Sequence, residues 1–346
     1  MGAFLDKPKT EKTDDIGVGR DYRYVVASMQ GWRIVMRDAH HVKISIGDDP
    51  PVKVKQVLNS NGQKITEKSK LLIKEGMKSA FLQLDDSMKN LFGGIENKES
   101  GTTAICAILT PDYIFFANLG DSRGILSRKS DNIFSTEDHK PYMKKERIRI
   151  ARAGGSVILN KLNGNLALFV TEQLVSPEPD IYIIERNKGD DEFLVLASDG
   201  IYDVLENEEL CRLVRSRLTV TEDLKHASNQ VLDVCLSKGS RDNMTMIMVV
   251  FDAAPKVKNE AVELENVWLE SVDKRLKELI DSKHDGADDA DSITLILKQE
   301  GFDDNSPSTC DIHLARSLID RVLEENKLDE SQQRQQSQQH QEANNK

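Results

Sequence analysis

Phe193-Leu194-Val195-Leu196-Ala197-Ser198-Asp199-Gly200-Ile201-Tyr202-Asp203-Val204-Leu205, FLVLASDGIYDVL, runs five apolar residues into two aspartates placed around a glycine. The apolar run reads as a β-strand, and Gly200 lets the backbone turn sharply where the strand ends. Two other segments repeat the design: FFANLGDSR carries Asp121 beside Gly120, and KGSRDNMTMIMVV places Asp242 just before a strand. Carboxylates at strand ends are well placed to meet at one rim of a sheet. Oxygen-only clusters of that kind suit Mg²⁺ or Mn²⁺. Each aspartate is equally a residue that closes turns through its own hydrogen bonds, and spacing alone does not make the set converge.

Outward from this stretch, the chain between Arg23 and about Phe251 alternates β-type runs with turn signals and a few helical segments. The strands include YRYVVASM, TTAICAIL, YIFFANL and MTMIMVVF. Thr110-Pro111-Asp112 joins two of them in a short turn, which predicts an antiparallel hairpin. KSKLLIKEGMKSAFLQLDDSMKNLF has apolar residues at helical spacing, and NEELCRLVRSRL reads as a helix with Asn207 as its N-cap. Strands paired by hairpins and flanked by helices predict an α+β layered fold. After FDAAPKV the pattern turns helical as far as about Leu328, and the Gln-rich end ESQQRQQSQQHQEANNK has too little to bury to fold. The expected organisation is therefore a main domain over 1–255, a helical domain over 256–328 and a disordered tail over 329–346.

Composition narrows the class of function. A formal charge of −11 in 346 residues argues against a nucleic-acid groove, which needs a basic surface. Apolar runs such as Phe193 to Ala197 are far shorter than the roughly 20 residues of a membrane-spanning helix. Cys106, Cys211, Cys235 and Cys310 lie far apart without metal-ligand spacing, and read as reduced thiols in a cytoplasmic protein, with the nucleus left open. Met1-Gly2-Ala3 offers a glycine for N-terminal acylation, but Asp6 stands where that pattern takes Ser or Thr.

A further strand-like stretch, GWRIVMRDAHH, brings in Arg33, Arg37 and Asp38. A strand arginine usually snorkels to water, but its planar fork also suits a phosphate group.

Taken in order, SMQGWR, DAH, SGTTA, NLGDSRGIL, DHKP, ERIRIARAGGSV, VSPEPD, LASDGIYDVL and GSRDNMT closely resemble the metal-dependent type 2C protein serine/threonine phosphatases. MGAFLDKPKTEK resembles the start of the animal alpha/beta branch, and residues 256–328 are similar to its three-helix C-terminal domain. The resemblance implies a β-sandwich of two antiparallel sheets with helices on both outer faces and a binuclear Mg²⁺/Mn²⁺ centre at one end. The implied partners are phosphoserine and phosphothreonine proteins, and a monomer is expected. Two cations in such a centre lower the pKa of bound water and neutralise the transferring phosphoryl group. Position by position, Arg33 matches the phosphate-binding arginine, and Asp38, Asp199 and Asp242 match metal aspartates. Asp121 and Asp203 match residues of a further metal site shared with Asp199.

The chain departs from the family pattern in three places. Arg37 occupies the position of a glutamate that precedes the motif aspartate, and can offer Asp38 an ion pair in place of a metal. The Tyr-Asp-Gly-His-Gly block, which supplies a bridging aspartate and a histidine proposed as general acid, is absent after His41. A Ser-Arg-Ala-Leu-Gly-Asp segment and the flap behind it are absent after NGNLAL. Asp48 and Asp49 lie near the lost bridge but sit beside Pro50 and Pro51 in a turn-like loop, and His40 and His41 read as surface or packing residues. Each gap removes a whole motif between well-matched flanks, a pattern of excision rather than drift. Two functions follow from this: a metal-dependent phosphatase with reduced activity, or a degenerate relative that binds phosphoproteins without turning them over.

Overall fold

The computed structural model describes residues 4–43, 65–91, 101–130, 132–155, 157–158, 161–162, 176–282, 289–304, 306–307 and 311–328. The expectations for Asp48, Asp49, Cys310 and the Gln-rich tail lie outside the described residues.

Three strands show why this sequence makes a layered sheet. In β2 (Tyr22–Arg33), β10 (Asp191–Ala197) and β11 (Met244–Phe251), alternate residues enter two different buried clusters. Val25, Ala27, Met29, Phe193, Val195, Ala197, Met244, Met246 and Met248 face one side, against helices. Tyr24, Val26, Leu194, Leu196, Val249 and Phe251 face the other, against a second sheet. The period of two in the strand backbone thus sorts one continuous apolar run into two cores.

These strands form the middle of a six-stranded antiparallel sheet, ordered β1-β2-β11-β10-β5-β6, where β1 is Phe4–Val18, β5 is Arg123–Arg128 and β6 is Ile133–Ser135. The second sheet is β3 (Ala104–Leu109), β4 (Tyr113–Leu119) and β9 (Asp180–Glu185), and the β3–β4 hairpin turns at Thr110-Pro111-Asp112 as expected. On β4, Ile114 and Phe116 face the large sheet, while Phe115 and Ala117 pack with Ile73 and Met77 of helix α1 (Glu67–Leu91). A small hairpin, β7 (Val157–Ile158) with β8 (Lys161–Leu162), follows helix α2 (Lys144–Arg152). Across the sandwich, the four-residue turn of helix α3 (Asp199–Tyr202) leads to α4 (Asn207–Val220) and α5 (Leu224–Ser237), which cover the large sheet. The order of layers is helix, sheet, sheet, helix, which is the α+β sandwich expected from the sequence.

The C-terminal helices are α6 (Asn259–Asp281), α7 (Ala290–Gln299) and a helical stretch over 316–328 that follows a 3₁₀ turn at Ile312–Ala315. Trp268, Val272, Leu276 and Leu279 on α6 lie three and four residues apart, so one stripe of that helix is buried with the α4–α5 side of the sheet. A buried ion pair fastens it: Arg217 on α4 donates through Nη1 and Nη2 to Glu265 at 2.8 and 2.6 Å. No described helix is long and apolar enough to cross a membrane.

Three local expectations are corrected. The strand that opens at Tyr22 continues to Arg33, and the alternation of GWRIVMR ends there, leaving Ile34 and Val35 exposed. The N-cap of α4 is Glu206, not Asn207; Glu206 and Glu209 make a reciprocal capping box, and Asn207 instead accepts from Arg123 Nη1 at 2.6 Å. Strand β1 was not anticipated at all. Its residues are mostly polar, it carries two register shifts around Lys9, and Pro8 is tolerated because β1 is an edge.

Candidate active site

Two glycines allow strand ends to approach closely at one rim of the large sheet. Gly31 has φ +64°, and a Cβ there would lie 2.8 Å from the Asp242 carbonyl oxygen. A Cβ on Gly200 would lie 2.2 Å from the Asn243 carbonyl oxygen. Any other residue at these points would push the end of β2 or the turn after β10 away from the segment that enters β11.

The side chains gathered there are held by specific bonds. Arg33 Nε donates to Asp242 Oδ1 at 2.8 Å and its Nη2 donates to Oδ2, so the guanidinium fork closes on both carboxylate oxygens. The Asn243 backbone N–H also donates to Asp242 Oδ1, at 2.8 Å. Asn243 in turn accepts at Oδ1 from the Arg37 backbone N–H at 2.7 Å and donates through Nδ2 to the Gln30 carbonyl at 2.8 Å. Asp38 accepts from Ser198 Oγ at 2.8 Å, and that hydroxyl accepts from the Thr245 N–H at 3.1 Å. The ion pair that Arg37 could have offered Asp38 is not formed. Ser198 holds Asp38, and the exposed Arg37 takes part through its backbone. His40 and His41 are exposed.

Charge shows how the aspartates relate. Burial is the main reason that Asp199 is pushed up to about 6, and Asp121, Asp242, Asp203 and Asp38 each raise it further. Asp203 is also raised, first by burial; Lys140 opposes this, while Asp121 and Asp242 add to it. Asp242 goes the other way. Burial would raise it, but the hydrogen bonds from Arg33 and Asn243 and the charges of Arg33 and Arg37 hold it below the usual carboxylate range. The five sequence-expected aspartates thus share one electrostatic neighbourhood centred on Asp199, with Arg33 at its edge.

A hard divalent cation needs several oxygens free to turn towards one point. The donors are right in kind, yet their arrangement does not fit a binuclear centre. Among the described residues no three His, Cys, Asp or Glu side chains form a metal-holding group. Arg33 covers both oxygens of Asp242, and Ser198 engages Asp38.

Sequence reasoning missed Ser198 and Asn243 as positioning residues. Both were in view, in LASDG and SRDNMT, each beside an aspartate that drew the attention. What spacing could not show was that Asn243, at the entry to β11, ties it to Gln30 of β2 and to Arg37 in the loop after it, since these partners lie more than two hundred residues away.

A protein phosphatase 2C family profile matches residues 53–244. Protein phosphatase ppm-1.A of Caenorhabditis elegans is 40% identical over 349 residues, covering 85% of this chain and 74% of that protein. Human protein phosphatase 1B is 38% identical over 93% of this chain and 76% of its own length. Bovine protein phosphatase 1A is 37% identical over 93% and 94%. A solved serine-threonine phosphatase 2C from Toxoplasma gondii superposes with a TM-score of 0.49 at 17% identity, covering 72% of this chain and 98% of that one. With more than half its length inside the profile and relatives near 40% identity across most of the chain, the chain belongs to the protein phosphatase 2C family, a family of Mg²⁺/Mn²⁺-dependent protein serine/threonine phosphatases.

Proposed function

We propose that this chain acts on phosphoserine and phosphothreonine in proteins, with turnover and metal affinity below those of relatives with an intact motif set. In this reading residues 1–255 form the catalytic unit and 256–328 a helical appendage. In the same reading Arg33 is assigned the phosphate, and Asp38, Asp121, Asp199, Asp203 and Asp242 are assigned the divalent cation, with Asp242 engaged by Arg33 and Asp38 by Ser198. The observation that supports the reading is that Asp121, Asp242, Asp203 and Asp38 all act on the charge of Asp199, and that Arg33 closes on Asp242 where β2 ends. A guanidinium fork can grip two oxygens of a tetrahedral phosphate, and a cation matched to clustered carboxylates would offset the charge of substrate and site together.

A second reading, phosphoprotein binding without turnover, is favoured by Arg37. That residue places a second guanidinium at the rim where a carboxylate is expected, and its charge acts on Asp242.

The deciding experiment is a phosphatase assay on the 346-residue chain with a phosphothreonine peptide and titrated Mn²⁺. Hydrolysis that rises with Mn²⁺ and is lost in Asp199→Asn is expected. Equal turnover by that variant would overturn the site assignment. Peptide binding without hydrolysis at any Mn²⁺ concentration would select the second reading.

A further inference from the structure

Trp32 and Arg241 each stand one residue before a member of the strand-end site, Arg33 and Asp242, yet both line a different cavity, on the helix side of the large sheet. This cavity lies where the end of α5 and the turn after it meet α7 and the 3₁₀ turn at Ile312–Ala315. Its volume is about 320 Å³, at the small end of the roughly 300–1,000 Å³ of ligand pockets. We propose that it binds a small organic phosphate, whose body rests on an apolar floor and whose phosphate meets a cationic wall. The site is separate from the proposed catalytic one, and binding there depends neither on turnover nor on a metal.

The wall runs against the charge of the whole molecule. In a chain of net charge −11, Arg241, Lys298 and Arg316 line the cavity with Asp291 as their one carboxylate among the lining residues. Arg316 is buried and committed: it donates through Nη1 to Asp291 and through Nε to Asp320 at 3.0 Å, which fixes one side of the cavity. The other cations are more open. Arg241 is exposed and forms no ion pair among the described residues; its guanidinium lies 5.8 Å from the centre of the Phe4 ring. Lys298 is also exposed, and its single ion pair among the described residues is a loose one of 3.5 Å with Asp303, so its ammonium keeps donors to spare.

His313 adds a neutral donor. Its Nδ1 lies 2.8 Å from Ser237 Oγ, and Nε2 has no hydrogen-bond partner among the described residues. Burial lowers its pKa, so the ring is uncharged near neutral pH; with Ser237 donating to Nδ1, the proton sits on Nε2. A guanidinium fork, an ammonium and an imidazole N–H set around one small cavity suit the several oxygens of a phosphate better than the two of a carboxylate. The floor is Trp32, Leu236 and Leu295. Trp32 is half-buried against the helix-side core and Leu295 is exposed on α7, which leaves apolar surface for an organic body, best a flat one.

Titration of the full chain with phenylphosphonate, which has no P–O–C ester to hydrolyse, tests this in EDTA by ¹⁵N NMR. The chain has two tryptophans, so two indole N–H resonances report, assigned with Trp32→Phe. The Trp32 resonance should move on titration, while that of Trp268, buried and donating to the Phe302 carbonyl at 3.2 Å, should stay. Inorganic phosphate should bind more weakly, because it leaves the floor uncovered. Arg241→Gln should weaken phenylphosphonate about ten- to a hundredfold, the range of a charged hydrogen bond. Leu295→Glu, at an exposed position that the fold does not need, should abolish binding by placing a carboxylate at the floor. Arg33→Gln, which removes the arginine assigned to the substrate phosphate, should leave the Trp32 response in place. No movement of Trp32 at millimolar phenylphosphonate, a response that survives Leu295→Glu, or one lost in Arg33→Gln and kept in Arg241→Gln would overturn the proposal. Equal affinity for inorganic phosphate would overturn the assignment to an organic ligand. Loss of phosphatase activity in Asp199→Asn bears on the proposed function and leaves this site untouched.

Discussion

Replacing Asp199 by asparagine is expected to stabilise the metal-free protein at neutral pH, although the same change should abolish hydrolysis. Asp199 sits at the start of α3 and is pushed up to about 6, first by burial and then by Asp121, Asp242, Asp203 and Asp38. Its ordinary value is 3.8, so the folded state holds its proton more tightly than the unfolded chain does. The sign follows from linkage: folding is relatively favoured while the group is protonated, and that advantage is lost as pH rises from 3.8 through about 6. Well above 6, a shift of this size corresponds to a penalty of at most about 3 kcal/mol. Partial exposure of the carboxylate lets solvent screen part of it, leaving roughly 1–2 kcal/mol. Asparagine is nearly isosteric and uncharged, so it removes the penalty and should raise Tm by a few degrees at about pH 7.5. At about pH 5 the gain should fall to around half, because wild-type Asp199 is then largely protonated in the folded state. Scanning calorimetry of both proteins in EDTA at the two pH values measures the difference directly. A variant that is less stable than wild type at neutral pH, or whose gain does not shrink on acidification, would refute the electrostatic account of the cluster.

Other perturbations follow from packing. Glu265→Ala leaves the buried Arg217 guanidinium without its carboxylate partner and should cost about 3–5 kcal/mol in chemical denaturation, whereas the double change Arg217→Met with Glu265→Leu should recover much of that loss. Gly200→Ala forces a Cβ to within 2.2 Å of the Asn243 carbonyl, which must move. It should lower Tm and, in the phosphatase assay, impair turnover more than an alanine at the open Gly189. Burial pushes the Cys106 and Cys211 thiols up to about 11 and raises Cys235 as well, so iodoacetamide near neutral pH should leave all three unmodified until the protein is unfolded. Rapid alkylation of any of them in the native protein would contradict the packing described.

The sequence made some of this legible and hid the rest for physical reasons. Strands β10 and β11 could be recognised because both of their faces are apolar, and a run such as FLVLA can do little else in a soluble fold. The β3–β4 turn was legible because Pro111 and Asp112 have few other uses between two apolar runs. Strand β1 was not, since its side chains are polar and what makes it a strand is backbone pairing with β2, to which local composition contributes nothing. Asn207 failed as a cap because Glu206 and Glu209 formed a box one residue earlier and Arg123 claimed the amide.

For the site, motif positions brought Arg33 and Asp242 into view, and these two meet where β2 ends against the segment entering β11. Motif positions did not identify how the site residues pair. Arg37 was the arginine that looked out of place, standing where a carboxylate belongs, and it stood as a rival to a metal for Asp38. The structure gives Asp38 to Ser198 and makes the motif-perfect Arg33 the cation that closes on a carboxylate, across 209 residues of sequence. The reason is geometric. Arg37 lies past the end of β2 in an exposed loop, whereas Arg33 is still within the strand and is aimed at the segment entering β11. A departure from a motif shows where the charge balance has changed. Which side chain answers that change depends on which one the backbone already holds in place.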